Sequence, residues 1–167
     1  MNWHPVVKIF CALALLTALA GCKEQQVAVG APAPALAAFD LNGRPAALGQ
    51  WRGKPVYLTF WSSDCGGCAL EMKLLQKLSD AYGDRLVVVA VNTDPQQTDI
   101  TAFLGALHIR YPVVRDQLGI TRERYQVVGT PTSYLLSAGG TVLEAYQGVR
   151  GEPALTAMFR DAQQDKS

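Results

Sequence analysis

Apolar residues follow three patterns along this chain. Over residues 9–20 they form an almost unbroken, uncharged stretch. Residues 55–61 (Pro-Val-Tyr-Leu-Thr-Phe-Trp) and 86–91 are rich in β-branched and aromatic residues, which predicts buried strands, the second a central parallel one. Between them Leu70, Leu74, Leu75, Leu78 and Tyr82 recur at helical spacing, predicting a helix over 65–82 that stops at Gly83. Ahead of these, 36–41 and 45–48 flank Asn42-Gly43, a hairpin signal. The later pattern predicts a helix over 96–107, a short strand at 113–114 and a helical turn over 120–125. Strands at 132–136 and 141–146, joined by Ala138-Gly139-Gly140, and a closing helix over 152–163 complete it. Strands alternating with helices predict one α/β domain built as a three-layer sandwich.

The first stretch is too short to cross a hydrocarbon core of about 30 Å as a helix. Lying after Lys8 and ahead of small residues, it fits the apolar part of an export signal. The tetrapeptide Leu19-Ala20-Gly21-Cys22 resembles the lipobox of bacterial lipoproteins, which implies cleavage before Cys22 and acylation of that cysteine. At about 0.8 kcal/mol per buried methylene, several acyl chains hold a protein to a membrane far more firmly than one. The expected organisation is a signal over residues 1–21, a lipid-anchored tether over 22–34 and a domain over 35–165. Ala and Pro in the tether predict a semi-extended leash.

The 167 residues suffice for one domain with a sizeable core. With 15 basic against 14 acidic residues, the chain lacks the cationic excess that nucleic-acid binding needs, so no nucleic-acid partner is expected. Four cysteines are too few for a disulfide-dense scaffold. Cys11 would leave with the signal and Cys22 would carry lipid. Cys65 and Cys68 then remain as the thiols of an exported chain, where disulfides can form.

These two make up Cys65-Gly66-Gly67-Cys68. On a first helical turn, residues i and i+3 bring two sulfurs within disulfide reach. So short a loop contributes little unfolded-state entropy, which suits a bond that is made and broken. Cys65 at the helix N-terminus would be favoured as a thiolate, the attacking species in exchange, while Cys68 a turn deeper would resolve the mixed disulfide. Half a zinc site, a peroxide-reducing thiol and an inert pair are the competing readings. Zinc would need further ligands from His108 and carboxylates.

Together with Ala31-Pro32-Ala33-Pro34, Gly53-Lys54-Pro55, Phe60-Trp61, Glu71-Met72 and Gly129-Thr130-Pro131-Thr132, this motif resembles the TlpA/ResA/CcmG group of membrane-anchored thiol-disulfide oxidoreductases. The resemblance implies a thioredoxin-like α/β/α sandwich with an N-terminal β-hairpin and a central helix–strand insertion over 96–114. It further implies that Cys65 is the nucleophile, that Cys68 resolves, and that Pro131 is cis beside the disulfide with Thr130 presenting backbone to a substrate. Glu71 matches an acidic residue of many members and could shuttle a proton or raise a thiol pKa, an ordinary helix-surface glutamate being the alternative. Trp61, read with Trp51 as a packing residue, lies close enough to the active site to shape its substrate surface.

Three departures from that group bear on redox tuning. Asp64 precedes the first cysteine, where its carboxylate would oppose a Cys65 thiolate and favour the disulfide, unless it turns away to cap the helix. Gly67 stands in place of the group's common Pro before the second cysteine and Lys73 in place of the Pro after Glu-Met, and the two glycines Gly66 and Gly67 would loosen the turn. The expected activity is reduction of disulfides in exported proteins, cytochrome c haem-attachment cysteines among them. A membrane thiol donor of the DsbD/CcdA type would restore the dithiol, with no cofactor beyond the cysteine pair, no metal, and the protein a monomer. A disulfide oxidase or isomerase, and a copper-handling or redox-sensing binding module, stand as alternatives.

Overall fold

The computed structural model describes residues 25–164. β1 (Ala38–Asp40) and β2 (Pro45–Ala46) form the expected antiparallel hairpin. Its turn is set by Asp40, whose Oδ1 accepts the N–H groups of Asn42 and Arg44, both at 2.9 Å, and by Gly43 at φ 77°. β3 (Val56–Trp61), β4 (Val87–Asn92) and β5 (Val113–Arg115) run parallel to one another, while β6 (Thr132–Leu136) and β7 (Val142–Gln147) add on antiparallel. The result is a seven-stranded mixed sheet in the order β2-β1-β5-β4-β3-β6-β7.

Strand alternation divides the core in two. Tyr57, Trp61, Val88 and Ala90 face one side and pack with α1 (Gly66–Tyr82), α2 (Thr101–Ala106) and α4 (Glu152–Gln164). Leu58, Phe60, Val89 and Val91 face the other. There Tyr125, which closes the short α3 (Ile120–Arg124), packs with Phe60 and Tyr134, ring centroids 5.1–6.1 Å apart. Such aromatic pairs contribute about 0.5–1.5 kcal/mol each beyond their buried area.

The buried stripe of α1 is Cys68, Glu71, Met72, Leu75, Gln76 and Leu78. Of the row read from the sequence, Leu75 and Leu78 lie in it and Leu74 and Tyr82 pack against the same core, while Leu70 is 69% exposed. A buried glutamate disguises that stripe, because it occupies an inward position that hydrophobicity alone assigns to solvent. The helix expected over 96–107 is also shorter. Residues 95–98 form a turn, with Thr98 N–H bonded to the Pro95 carbonyl, and Asp99 Oδ1 accepts the Thr101 N–H at 2.8 Å where α2 begins. His108 ends that segment, exposed and in the left-handed region at φ 55°.

The leash expected up to residue 34 is a docked strap over its described part. Val27 N–H donates to the Arg124 carbonyl, Gly30 N–H to Val142 and Ala33 N–H to Gly140, each at 2.8 Å, and the Tyr125 hydroxyl donates to the Pro34 carbonyl. Val27, Ala33 and Leu36 thereby cover the second core face where no long helix lies. Pro and Ala stiffen this segment as expected, but its backbone is satisfied by β7 and the β6–β7 turn rather than by water. Cys22 and the rest of the expected signal and anchor lie outside the described residues.

Candidate active site

β3 delivers its last residue, Trp61, to the C-terminal edge of the sheet, and Ser62–Asp64 turn the chain into α1. That turn is held by the buried Asp94, which follows β4: both its carboxylate oxygens accept the Ser63 N–H, at 3.1 and 3.0 Å, and Asn92 Nδ2 donates to Oδ2 at 2.9 Å. Cys65 itself is the N-cap of α1. Its Sγ accepts the Cys68 N–H at 3.1 Å and is bonded to Cys68 Sγ, the Cα atoms 5.2 Å apart. Cys68 is buried and Cys65 only half-buried, so the outer sulfur is the one an incoming group can reach. A sulfur that receives a backbone N–H at the positive end of a helix is stabilised as an anion once the disulfide opens.

The Thr130–Pro131 peptide is cis, and the Thr130 carbonyl oxygen lies 3.4 Å from Cys65 Sγ. In the dithiol form that oxygen can accept the Cys65 S–H. The loop is pinned on both sides: Thr132 Oγ1 donates to the Gly129 carbonyl at 2.7 Å, and Gly148 N–H donates to the Pro131 carbonyl at 2.8 Å. Ser62 Oγ donates to Asp64 Oδ1 at 2.6 Å, leaving the Thr130 hydroxyl to donate to Ser62 across 3.2 Å. Asp64 is exposed and its carboxylate engages Ser62, so Cys65, not Asp64, caps the helix. Ser62, Asp64, Thr93, Asp94, Arg122 and Thr130 line an open polar depression beside Cys65.

Glu71 lies one turn below Cys68 and is 2% exposed. Arg150 N–H donates to Oε2 at 2.8 Å, while the Thr59 hydroxyl lies 3.4 Å from Oε1. The Tyr57 hydroxyl, which donates to Ser133 Oγ at 2.9 Å, also lies 3.4 Å from Oε1. Burial raises the Glu71 carboxyl above the usual carboxylate range, opposed mainly by the Arg150 N–H. A carboxyl raised by burial in this way is a better proton acceptor than a solvated one, which suits acid–base work.

Two expectations about the site need correction. Trp61 is fully buried and stacks on Phe103 at 5.1 Å between ring centroids, so it supports the motif from beneath and offers no surface to a substrate. The glycines do not act alike either. A Cβ on Gly66 would meet open space, but one on Gly67 would lie 2.6 Å from Val149 Cγ2, so Gly67 is small because Val149 packs against it. Val149, Arg150, Ser62 and Asp94 were not singled out from the sequence. For Glu71 a signal existed: Tyr57 and Thr59 place hydroxyls at alternate positions of a wholly buried strand, which calls for a polar partner on the helix above.

An N-capping cysteine joined to a buried one, with a cis-proline loop against them at the edge of this sheet, defines a thioredoxin-like thiol-disulfide oxidoreductase. Residues 28–164 match the Redoxin family, and the chain belongs to it. It is 33% identical over 129 residues to the thioredoxin-like protein YneN of Bacillus subtilis, covering 75% of each chain. To the thiol-disulfide oxidoreductase ResA of Bacillus thuringiensis subsp. konkukian it is 29% identical over 146 residues, 86% of this chain and 84% of that one. Among solved structures, a Chlorobium tepidum chain assigned to the thiol:disulfide interchange protein DsbE superposes with a TM-score of 0.67 at 33% identity, covering 83% of this chain and 97% of its own.

Proposed function

We propose that this oxidoreductase works as a reductant of disulfides in exported proteins, cytochrome c haem-attachment cysteines among them, while tethered by lipid on Cys22. The observation that carries this reading is the half-buried Cys65 sulfur, supplied with a helix N-terminal N–H and linked to a buried partner. In the dithiol form the Cys65 thiolate attacks a client disulfide. The client S–S bond breaks, a Cys65–client disulfide forms, and one client thiolate leaves and takes up a proton. Cys68 then passes its proton to Glu71 and attacks Cys65. The Cys65–Cys68 bond forms and the second client sulfur leaves, protonated in its turn. Two electrons and two protons have moved to the client, and a membrane dithiol donor returns them to the cysteine pair. No small cofactor enters this cycle. No helix among the described residues is long and apolar enough to cross a membrane.

Rapid acid quenching of cells followed by thiol alkylation tests the direction. A pair found mainly as dithiol supports the reductant, and a pair found mainly as disulfide overturns it in favour of an oxidase. The same cells carrying Cys22→Ser should release the protein from the membrane fraction; retention would refute the lipid tether.

Asp64 sets the expected bias. Its carboxylate, on the residue preceding the attacking sulfur, opposes a thiolate there and thereby favours the disulfide form. Asp64→Asn is expected to lower the Cys65 pKa by less than about one unit, because an exposed charge is screened by solvent. Thiolate absorbance against pH reads this directly, and no downward movement removes Asp64 from the account.

A further inference from the structure

The loop between β7 and α4, Gly148-Val149-Arg150-Gly151, touches the redox motif, the cis-proline loop and the buried glutamate at once. Gly148 N–H holds the Pro131 carbonyl, Val149 fills the space a side chain at position 67 would need, and Arg150 N–H donates to Glu71 Oε2. The Arg150 side chain is itself locked. Its Nη2 donates to Glu144 at 3.0 Å, and its guanidinium carbon sits 4.2 Å from the centre of the Tyr146 ring. Arg150 Nε is buried with no hydrogen-bond partner among the described residues. An orphaned buried donor is unfavourable. The fold accepts that penalty while holding the arginine in a clamp made by two β7 side chains.

We propose that this loop is a positioning element for Glu71: Arg150, clamped by Glu144 and Tyr146, delivers the N–H that orients the carboxylate, and the Val149–Gly67 contact ties its placement to the cysteine dipeptide. The inference rests on Glu71 acting as the proton acceptor, but its placement of the carboxylate can be tested separately. The groups that face Glu71 are Tyr57 and Thr59 from β3, Tyr111 ahead of β5, whose phenol feels its charge, and Arg150 from the loop. Arg150 alone among these brings a cation, so losing it removes both a donor's placement and a nearby positive charge.

The test is the carboxyl carbon-13 shift of Glu71 followed against pH in the oxidised protein, assigned by its loss in Glu71→Gln. Arg150→Ala is expected to move the Glu71 midpoint up by about one pH unit, and Arg150→Lys to recover part of that shift. Gly67→Ala should move it in the same direction, because the new methyl group must push Val149 and its loop away. Gly67→Ala with Val149→Ala should return it towards the parent value. An unmoved midpoint in Gly67→Ala, or no return in the double variant, overturns the coupling. This arm does not require that Arg150 variants fold. The pH limb of client-disulfide reduction, read on the same proteins, separates the two ideas. If the Glu71 midpoint moves while the limb stays in place, the positioning stands and Glu71 is not the proton acceptor.

Discussion

Replacing Cys68 with alanine is expected to stop the protein after its first bond. Cys65 remains at the helix N-terminus, so attack on a client disulfide proceeds. The mixed disulfide then has no internal thiolate to resolve it and accumulates as a covalent, reductant-sensitive adduct. Multiple turnover should fall to the uncatalysed background while the first encounter keeps its rate. Cys65→Ser should lose both. The measurement is non-reducing electrophoresis of the variant incubated with an oxidised protein, followed by mass spectrometry of the adduct. The asymmetry between a half-buried Cys65 and a buried Cys68 demands this outcome. Adducts of equal abundance on Cys68 in the Cys65→Ser protein would mean that the two sulfurs have no fixed order.

Glu71→Gln carries the second large effect, in opposite directions for activity and stability. Loss of a positioned proton acceptor is expected to slow resolution of the mixed disulfide by about 10²-fold near neutral pH. Burial raises the folded-state pKa of Glu71 above its unfolded value, so ionised Glu71 opposes folding. That penalty is absent below the unfolded carboxylate range. It grows as pH rises through the unfolded value and levels off above the folded one. The neutral amide escapes it, so the variant should gain stability over the parent as pH rises, by about 1.4 kcal/mol for each unit of upward shift. Urea midpoints at mildly acidic and neutral pH measure the difference. A pH-independent difference would show that the fold leaves the Glu71 pKa at its unfolded value, and the burial argument would fall.

The fold was legible wherever one strong local signal governed an element. β-branched runs marked β3 and β4, Asn42-Gly43 marked the hairpin, and Gly83 marked the end of α1. The cysteine pair was legible because its spacing carries chemistry without help from distant residues. What escaped was non-local. The strap lies against a hairpin that arrives late in the sequence, and nothing in Ala31-Pro32-Ala33-Pro34 indicates whether protein or water will satisfy its backbone. Gly67 resembled a source of slack because its neighbour Val149 is 82 positions away. For Trp61 the packing reading held and the surface role did not, because chain position places it beside Cys65 while strand alternation turns its ring into the core. Arg150 reaches Glu71 through a backbone N–H, which every residue but proline possesses.

The strap also constrains the order of assembly. Gly30 is bonded to Val142 and Ala33 to Gly140, partners more than a hundred positions apart. In a chain made or exported from its amino end, the earliest segment has nothing to lean on until nearly the last hairpin emerges. The flank of the sheet beneath it is therefore among the last parts to close, and until then its apolar side chains are available to chaperones and to neighbouring nascent chains.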